Sequence, residues 1–278
     1  MILTVGLIQL NSGDDPAANL GQTLALVDQA ADCGAQFVLT PEVTNIVSDS
    51  RKHQAKVLQT EADDQTLAAL QRLAAKRGIW LLIGSLALKT DDPDGRFANR
   101  SFLISPNGNI RARYDKMHMF DVAVSDTETY RESAGYRPGN RAVLAQTDFG
   151  TFGLTICYDL RFPHLYRHLA QAGAKIITVP SAFSPVTGAA HWETLLRARA
   201  IETGSFVLAP AQTGSHGSKR KTYGHSMVVD PWGQVLLDVG TETGAFIVNL
   251  DLNTVEQTRK RIPSLTHDRP YQGPENAQ

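Results

Sequence analysis

"AVLAQTDFGTFGLTICYDLRFPHLYRHLAQAGAKIITVPS", residues 142–181, joins two kinds of chain connection in one stretch. Alternating apolar runs flank Asp148-Phe149-Gly150, the pattern of a β-hairpin. The second run, "TFGLTIC", ends on Cys157; "LYRHLAQAG" then reads as a helix and "KIITVP" as a buried strand. A hairpin feeding directly into a strand-helix-strand crossover places antiparallel and parallel neighbours in one sheet. The sheet must therefore be mixed.

Outward from this stretch the same mixture recurs. "LTVGLIQL" opens as a strand, and residues 17–33 carry a helical period through Leu20, Leu24 and Val27. "QFVLTPE" is a buried strand ending in Pro41-Glu42. "DDQTLAALQRLAAKRG" is a helix with acidic residues at its start, Leu67, Leu70 and Leu73 on one face, and basic residues then Gly78 at its end. "IWLLIGSLAL" is a strand, and "SFLISPNGNIRARYDK" is a second hairpin. "HWETLLRARAIETG" is helical; "FVLAPAQ", "HSMVVDPWGQVLLDV" and "AFIVNLDL" add strands. "CGAQFVLTPE" and "AGAKIITVPS" echo one another, as a duplicated β-α-β unit or as a chance likeness between two ordinary crossovers. Hairpins interrupting the βα alternation favour a mixed α/β layer fold with two sheets. Nothing reads as an interdomain linker, so residues 1–278 are expected to form one domain, with a C-terminal arm from about residue 262.

Composition narrows the functions. The 278 residues are 42% apolar and 20% charged, with a net charge of −1, so there is no electrostatic footprint for nucleic acid or an anionic membrane. A small molecule or another subunit is the expected partner. No basic leader precedes an apolar stretch, and no apolar run approaches the roughly 18–20 residues of a spanning helix. Two cysteines make neither a disulfide framework nor a structural zinc site, and no C-x-x-C or H-E-x-x-H occurs. A cytoplasmic protein with reduced thiols and no metal or cofactor is expected.

Cys157 stands at a strand-to-helix elbow, where α/β sites form and where backbone N–H groups favour negative charge. It is either a nucleophile or a buried apolar cysteine. Cys33, beside Gly34 at a helix end, reads as structural. A thiol of ordinary pKa about 8.5 needs a base and a charge stabiliser to attack a carbonyl at neutral pH. His118 and His225 lie in loops and are equally well read as solvated. Glu42 closes a buried strand, where desolvation should raise its pKa toward that of a general base. Lys116 ends another strand, where a cation can face an oxyanion. Singly, Glu42 is as well a turn carboxylate and Lys116 a surface charge.

Together, Glu, Lys and Cys at successive strand ends resemble the carbon–nitrogen hydrolase (nitrilase-like) superfamily. The resemblance runs through Pro41-Glu42, "YDKMHMFD" from Tyr114, "CYDLRFP" from Cys157, "TGAAHWETLLRARAIE" from Thr187 and "GHSMVVDPWG" from Gly224. It implies a four-layer α-β-β-α sandwich of two mixed β-sheets flanked by helices. It also implies Cys157 as nucleophile, Glu42 as general base, Lys116 as oxyanion cation and Glu132, in "YRESAGYRPG", as a second carboxylate positioning the lysine. The Tyr158 backbone N–H would share the oxyanion. The later motifs resemble the branch acting on deaminated glutathione, which implies cleavage of a terminal carboxamide on a small anionic acid, giving carboxylic acid and ammonia. An ω-amidase, an N-carbamoyl amide hydrolase and a non-catalytic module of the same fold are the alternatives. Arg161 is the expected partner of the substrate carboxylate, against a salt bridge with Asp159. Thr187 and His191 are expected in the pocket, and the run Lys219-Arg220-Lys221 is either at its mouth or a solvated loop. The helix around Trp192 and the C-terminal arm resemble the family's dimer contacts, which implies a homodimer.

Overall fold

The computed structural model describes residues 1–125, 128–217 and 220–274. The chain opens with β1 (Ile2–Gln9), α1 (Pro16–Asp32) and β2 (Phe37–Leu39), then α2 (Arg51–Val57), α3 (Gln65–Arg77) and β3 (Trp80–Leu88). Two antiparallel pairs follow, β4 (Ala98–Ile104) with β5 (Ile110–Asp115) and β6 (Asp121–Ser125) with β7 (Glu128–Arg131). The second half repeats the scheme with β8 (Val143–Thr147), β9 (Gly150–Leu154), α4 (Pro163–Gln171), β10 (Ile176–Thr178), α5 (Pro185–Thr203) and β11 (Phe206–Ala209). It closes with β12 (Thr213–Ser215), β13 (Lys221–Tyr223), β14 (Met227–Val229), β15 (Val235–Asp238), β16 (Gly244–Asp251) and α6 (Asn253–Arg261).

Two six-stranded sheets form, in the orders β16-β1-β2-β3-β4-β5 and β15-β14-β11-β10-β9-β8. In each, three parallel strands sit at the centre and antiparallel strands flank them. Alternation along β1 shows why the sheets stack. Leu3, Val5 and Leu7 enter the core shared with Phe152, Leu154 and Ile176 of the second sheet, while Ile8 and Leu10 pack with Val27 of α1 and Leu67 and Leu70 of α3. Phe37 and Phe152 stack across the seam with ring centroids 4.4 Å apart. Helices α1 and α3 cover the outer face of the first sheet, and α4 and α5 that of the second, which gives the α-β-β-α layering.

Local signals explain the boundaries. Asp64 caps α3 by accepting from Leu67 N at 2.8 Å, and Gly78 ends it in a left-handed conformation (φ 64°). Helix α5 begins at Pro185, ahead of the stretch read from sequence, because proline is suited to a first helical turn. The arm beyond Ile262 folds back on α4: Arg167 Nη2 donates to Ser264 O at 2.9 Å and pairs with Asp268. Among the described residues, no helix is long and apolar enough to cross a membrane.

Candidate active site

The thiol is set by a strained turn. Strand β9 ends at Leu154, and Cys157 opens a short 3₁₀ turn, Cys157–Arg161, with φ at +49°. Such a conformation disfavours a residue with a Cβ and persists only where its surroundings enforce it. Two sets of bonds do so here. Cys157 N donates to Pro180 O, just past β10, at 2.9 Å. The fully buried Asp159 accepts from Ile156 N (2.9 Å), Tyr114 Oη (2.6 Å) and His118 N (3.1 Å), with His118 Nδ1 also 2.7 Å away. Asp159 thereby fastens the turn to the segment running from β5 through Lys116.

Glu42 reaches the thiol from the other sheet. Thr40 and Pro41 extend β2, and Val43 is again left-handed (φ 47°), pinned by its N–H to Ser85 Oγ at 2.7 Å. Lys116 follows β5 by one residue and stands directly across from Asn99, whose carbonyl accepts Lys116 N at 3.0 Å. Lys116 Nζ lies 2.8 Å from Glu42 Oε1, 2.9 Å from Glu132 Oε1 and 2.8 Å from Glu132 Oε2. Ala182 N donates to Glu42 Oε2 at 2.8 Å, and Phe120 N to Glu132 Oε2 at 2.6 Å. The Cys157 thiol and the Glu42 carboxylate each influence the other's titration, and the Ala182 N–H acts on both. Lys116, Glu42 and Cys157 are 2%, 5% and 6% exposed, so these charges meet almost without water.

Their titration follows from that. Burial pushes the Glu42 carboxyl up, but the Lys116 ammonium and hydrogen bonds from Lys116, Cys157 and Asn99 outweigh it and hold the group below the usual carboxylate range. The rise expected from desolvation alone is reversed by the buried cation. Burial pulls Lys116 down, yet Glu132 and Glu42 keep it well above its ordinary value. Burial, then the Glu42 charge, pushes the Cys157 thiol up. At neutral pH the proton therefore rests on sulfur beside an ionised carboxylate. Among the described residues, no group of three or more His, Cys, Asp or Glu is placed to hold a metal ion.

A family model described as carbon-nitrogen hydrolase matches residues 4–260. The chain belongs to the carbon–nitrogen hydrolase family. It is 39% identical to a deaminated glutathione amidase of Yersinia enterocolitica over 95% of this chain and 92% of the relative. The C. elegans NitFhit protein superposes with a TM-score of 0.90 at 35% identity, over 96% of this chain; the chain spans 65% of that protein's length. An amidase from Nesterenkonia sp. AN1, a mutant solved after Michael addition of acrylamide at its active-site cysteine, superposes at a TM-score of 0.77 with 26% identity, covering 94% of this chain and 98% of that one. This chain is thus a hydrolase of carbon–nitrogen bonds, an amidase, on the nitrilase-type fold.

A cavity of about 300 Å³ opens above the hydrolase's four polar residues, lined by Glu42, Lys116, Glu132 and Cys157. Tyr158 and Thr187 also line it. Arg161 and His191 do not: the 3₁₀ turn carries Arg161 behind the wall, where it lies over the Phe183 ring (5.5 Å) with Nη2 3.3 Å from His191 Nδ1. Asp159 binds Tyr114 and His118 in place of Arg161. Arginines join the lining from three remote places: Arg51 opens α2, Arg131 ends β7 and Arg220 precedes β13. Arg220 donates to Ala182 O at 2.7 Å and lies 4.6 Å over the Tyr130 ring. Lys221 does not line the cavity, and Lys219 lies outside the described residues. Neither loop histidine lines the cavity: His118 stacks on Phe162, and His225 Nδ1 is 3.0 Å from Asp238. Trp192, expected at a subunit contact, is buried in its own chain with Nε1 donating to His225 O at 2.8 Å.

Sequence reading missed Asn99, the clamp at Asp159, Arg51 and Arg131; of the run Lys219-Arg220-Lys221, Arg220 does line the cavity. Asn99 had a signal: counting back from the Asn107-Gly108 turn, through the bulge at Leu103/Ile104, sets it opposite Lys116. Arg51 and Arg131 had none, since α2 and β6–β7 were not legible as the elements that bring them to the cavity.

Proposed function

We propose that this amidase hydrolyses a small anionic amide of the deaminated glutathione type through a thioester on Cys157. The observation carrying the reading is the closure of thiol, carboxylate and ammonium around one wall of the cavity. Glu42 takes the thiol proton as sulfur attacks the amide carbon. Lys116 and the Tyr158 backbone N–H hold the oxyanion, and Glu132 keeps Lys116 in place. The amide nitrogen leaves with the proton from Glu42, the thioester remains, and water activated by Glu42 releases the carboxylic acid and restores the thiol. In a glutathione-type substrate the scissile nitrogen carries the rest of the molecule, so an amine departs; ammonia is the product from a primary carboxamide.

The anionic preference is supported by charge. Glu42 and Glu132 enclose Lys116, whereas Arg51, Arg131 and Arg220 face the same space, with Asp49 the one further carboxylate among the described residues of its lining. These three arginines take the place expected for Arg161. A substrate with two carboxylates suits such a wall.

The test is turnover of deaminated glutathione and of α-ketoglutaramate, with released amine and ammonia measured separately. Deaminated glutathione should be the better substrate, and Cys157→Ala should remove both activities. Hydrolysis of α-ketoglutaramate alone would favour the ω-amidase reading; activity surviving in Cys157→Ala would overturn the mechanism. We further propose a cytoplasmic homodimer, supported by two free cysteines and by a groove holding Ile201, Trp232 and Ile262, each 46 to 56% exposed. Sedimentation of the pure protein measures the second point.

A further inference from the structure

The two carboxylates around Lys116 are not equivalent, and the difference lies in which lone pairs are taken. A carboxylate offers about four acceptor positions, two on each oxygen. On Glu132 all four are occupied: Oε1 by Lys116 Nζ (2.9 Å) and Asn99 Nδ2 (3.3 Å), Oε2 by Lys116 Nζ (2.8 Å) and Phe120 N (2.6 Å). On Glu42 three are occupied: Oε1 by Lys116 Nζ (2.8 Å) and Asn99 Nδ2 (2.9 Å), Oε2 by Ala182 N (2.8 Å). The remaining position, on Oε2, is the one left for the thiol.

We infer that Asn99 is a positioning residue that fills Oε1 of Glu42, keeps the carboxylate ionised and reserves Oε2 for the proton of Cys157. Asn99 is 2% exposed and does not line the cavity, so it acts through Glu42. Its amide orientation is set by chemistry: the reverse flip would turn a carbonyl oxygen toward two carboxylates. In the orientation present, Asn99 Oδ1 is buried without a hydrogen-bond partner. Folding alone would disfavour that unpaired oxygen. Its retention marks the NH₂ end as serving the acids. The charged and titratable groups around this point are Glu42 after β2, Lys116 after β5, Glu132 after β7, Cys157 after β9 and the buried Tyr136 phenol, whose proton is held more tightly by burial and by the Glu132 charge.

The inference rests on Glu42 as the base, and the experiment separates the two. Donors to an ionised carboxylate favour it, so removing one raises the pH at which Glu42 becomes competent. In Asn99→Leu, the acid limb of the kcat/KM profile should move up by about one pH unit, within the range expected for a hydrogen bond to a charged group. The loss should therefore be near tenfold below the limb and shrink at alkaline pH, with KM little changed. Asn99→Asp, which sets a third carboxylate beside one ammonium, should move the limb further and decides the matter if the leucine variant does not fold. A loss equal at every pH, with the limb unmoved in both variants, overturns the inference. Retained turnover in Cys157→Ala overturns the parent mechanism instead, whatever the Asn99 variants show.

Discussion

The two sheets are built on one plan and put to different use. In both, "Gly-Ala" follows a helix and leads into a central strand, β2 or β10, that ends in proline. Register makes Gly6 of β1 equivalent to Gly153 of β9, each lying bare against the alanine of that repeat, Ala35 or Ala174. The sequence echo is therefore a structural repeat. Beyond the strands the halves diverge. After the proline, the first half places Glu42 and the second Ser181, whose hydroxyl turns back to Val179 O at 3.0 Å. After the first parallel strand, the second half places Cys157 and the first the buried Leu10. Each half supplies one reactive group and leaves the matching place in the other inert. Acid and thiol thus meet only because the sheets pack face to face, and their spacing is a property of the seam.

Breaking the charge balance at the seam should have the largest effect. Lys116→Met removes the proposed oxyanion donor, worth on the order of 10²–10³ in rate, and strands a buried carboxylate, worth about 3–5 kcal/mol of stability. The pH response gives a sharper signature. In the wild type, Glu42 is held below its ordinary value, so its contribution to stability is present above the unfolded pKa, about 4.3, and lost as pH falls through the folded value. In the variant burial, the largest influence on Glu42, is opposed only by the hydrogen bonds from Asn99, Ala182 and Cys157, so the folded pKa should rise above the unfolded one. That stability is then full below about pH 4.3 and lost as pH rises through the raised value. Melting temperatures at pH 7 and pH 5 should show the gap between the two proteins narrowing on acidification. An unchanged gap would mean that Lys116 does not govern Glu42.

Pushing the halves apart comes next. A Cβ on Gly84 of β3 would fall 2.0 Å from Thr40 O, and 2.5 Å from both Pro41 O and Pro180 Cβ, the two proline-bearing strand ends at once. Gly84→Ala should cost about 3 kcal/mol, the upper end of ordinary overpacking, and lower kcat by separating Glu42 from Cys157. A urea titration and an activity assay at one substrate concentration suffice to check it.

The repeat itself is tested by a matched pair. Gly6→Ala meets Ala30 Cβ at 2.9 Å, whereas Gly153→Ala meets nothing nearer than 3.2 Å. Both should destabilise, by about 1–3 kcal/mol, with the first the larger; the reverse order in thermal melts would refute the structural equivalence. The smallest effect belongs to Ser181→Ala, which forfeits one hydrogen bond, about 1 kcal/mol, and should leave kcat/KM nearly untouched.

What the sequence revealed, and what it hid, follows the same division. Glu42, Lys116 and Cys157 were legible only as a set: each alone has an ordinary structural reading, and it is their order at successive strand ends that resembles the family. Two mixed sheets were legible from hairpins beside crossovers, and the four-layer sandwich from the family resemblance. Asn99 was overlooked because its place opposite Lys116 shows only when register is counted across a bulged hairpin. Arg161 misled because nearness in sequence to the nucleophile is undone by a tight turn. The direction of the Glu42 shift was misjudged because a buried cation from a distant strand outweighs desolvation.

The left-handed backbone at Cys157 has a consequence for the history of such chains. Glycine is the least strained occupant of that φ, and alanine would inherit all of the strain with none of the chemistry. A copy released from selection for turnover would gain backbone comfort by losing its sulfur. The thiol's presence at so unfavourable a torsion fits the nucleophilic role proposed for it.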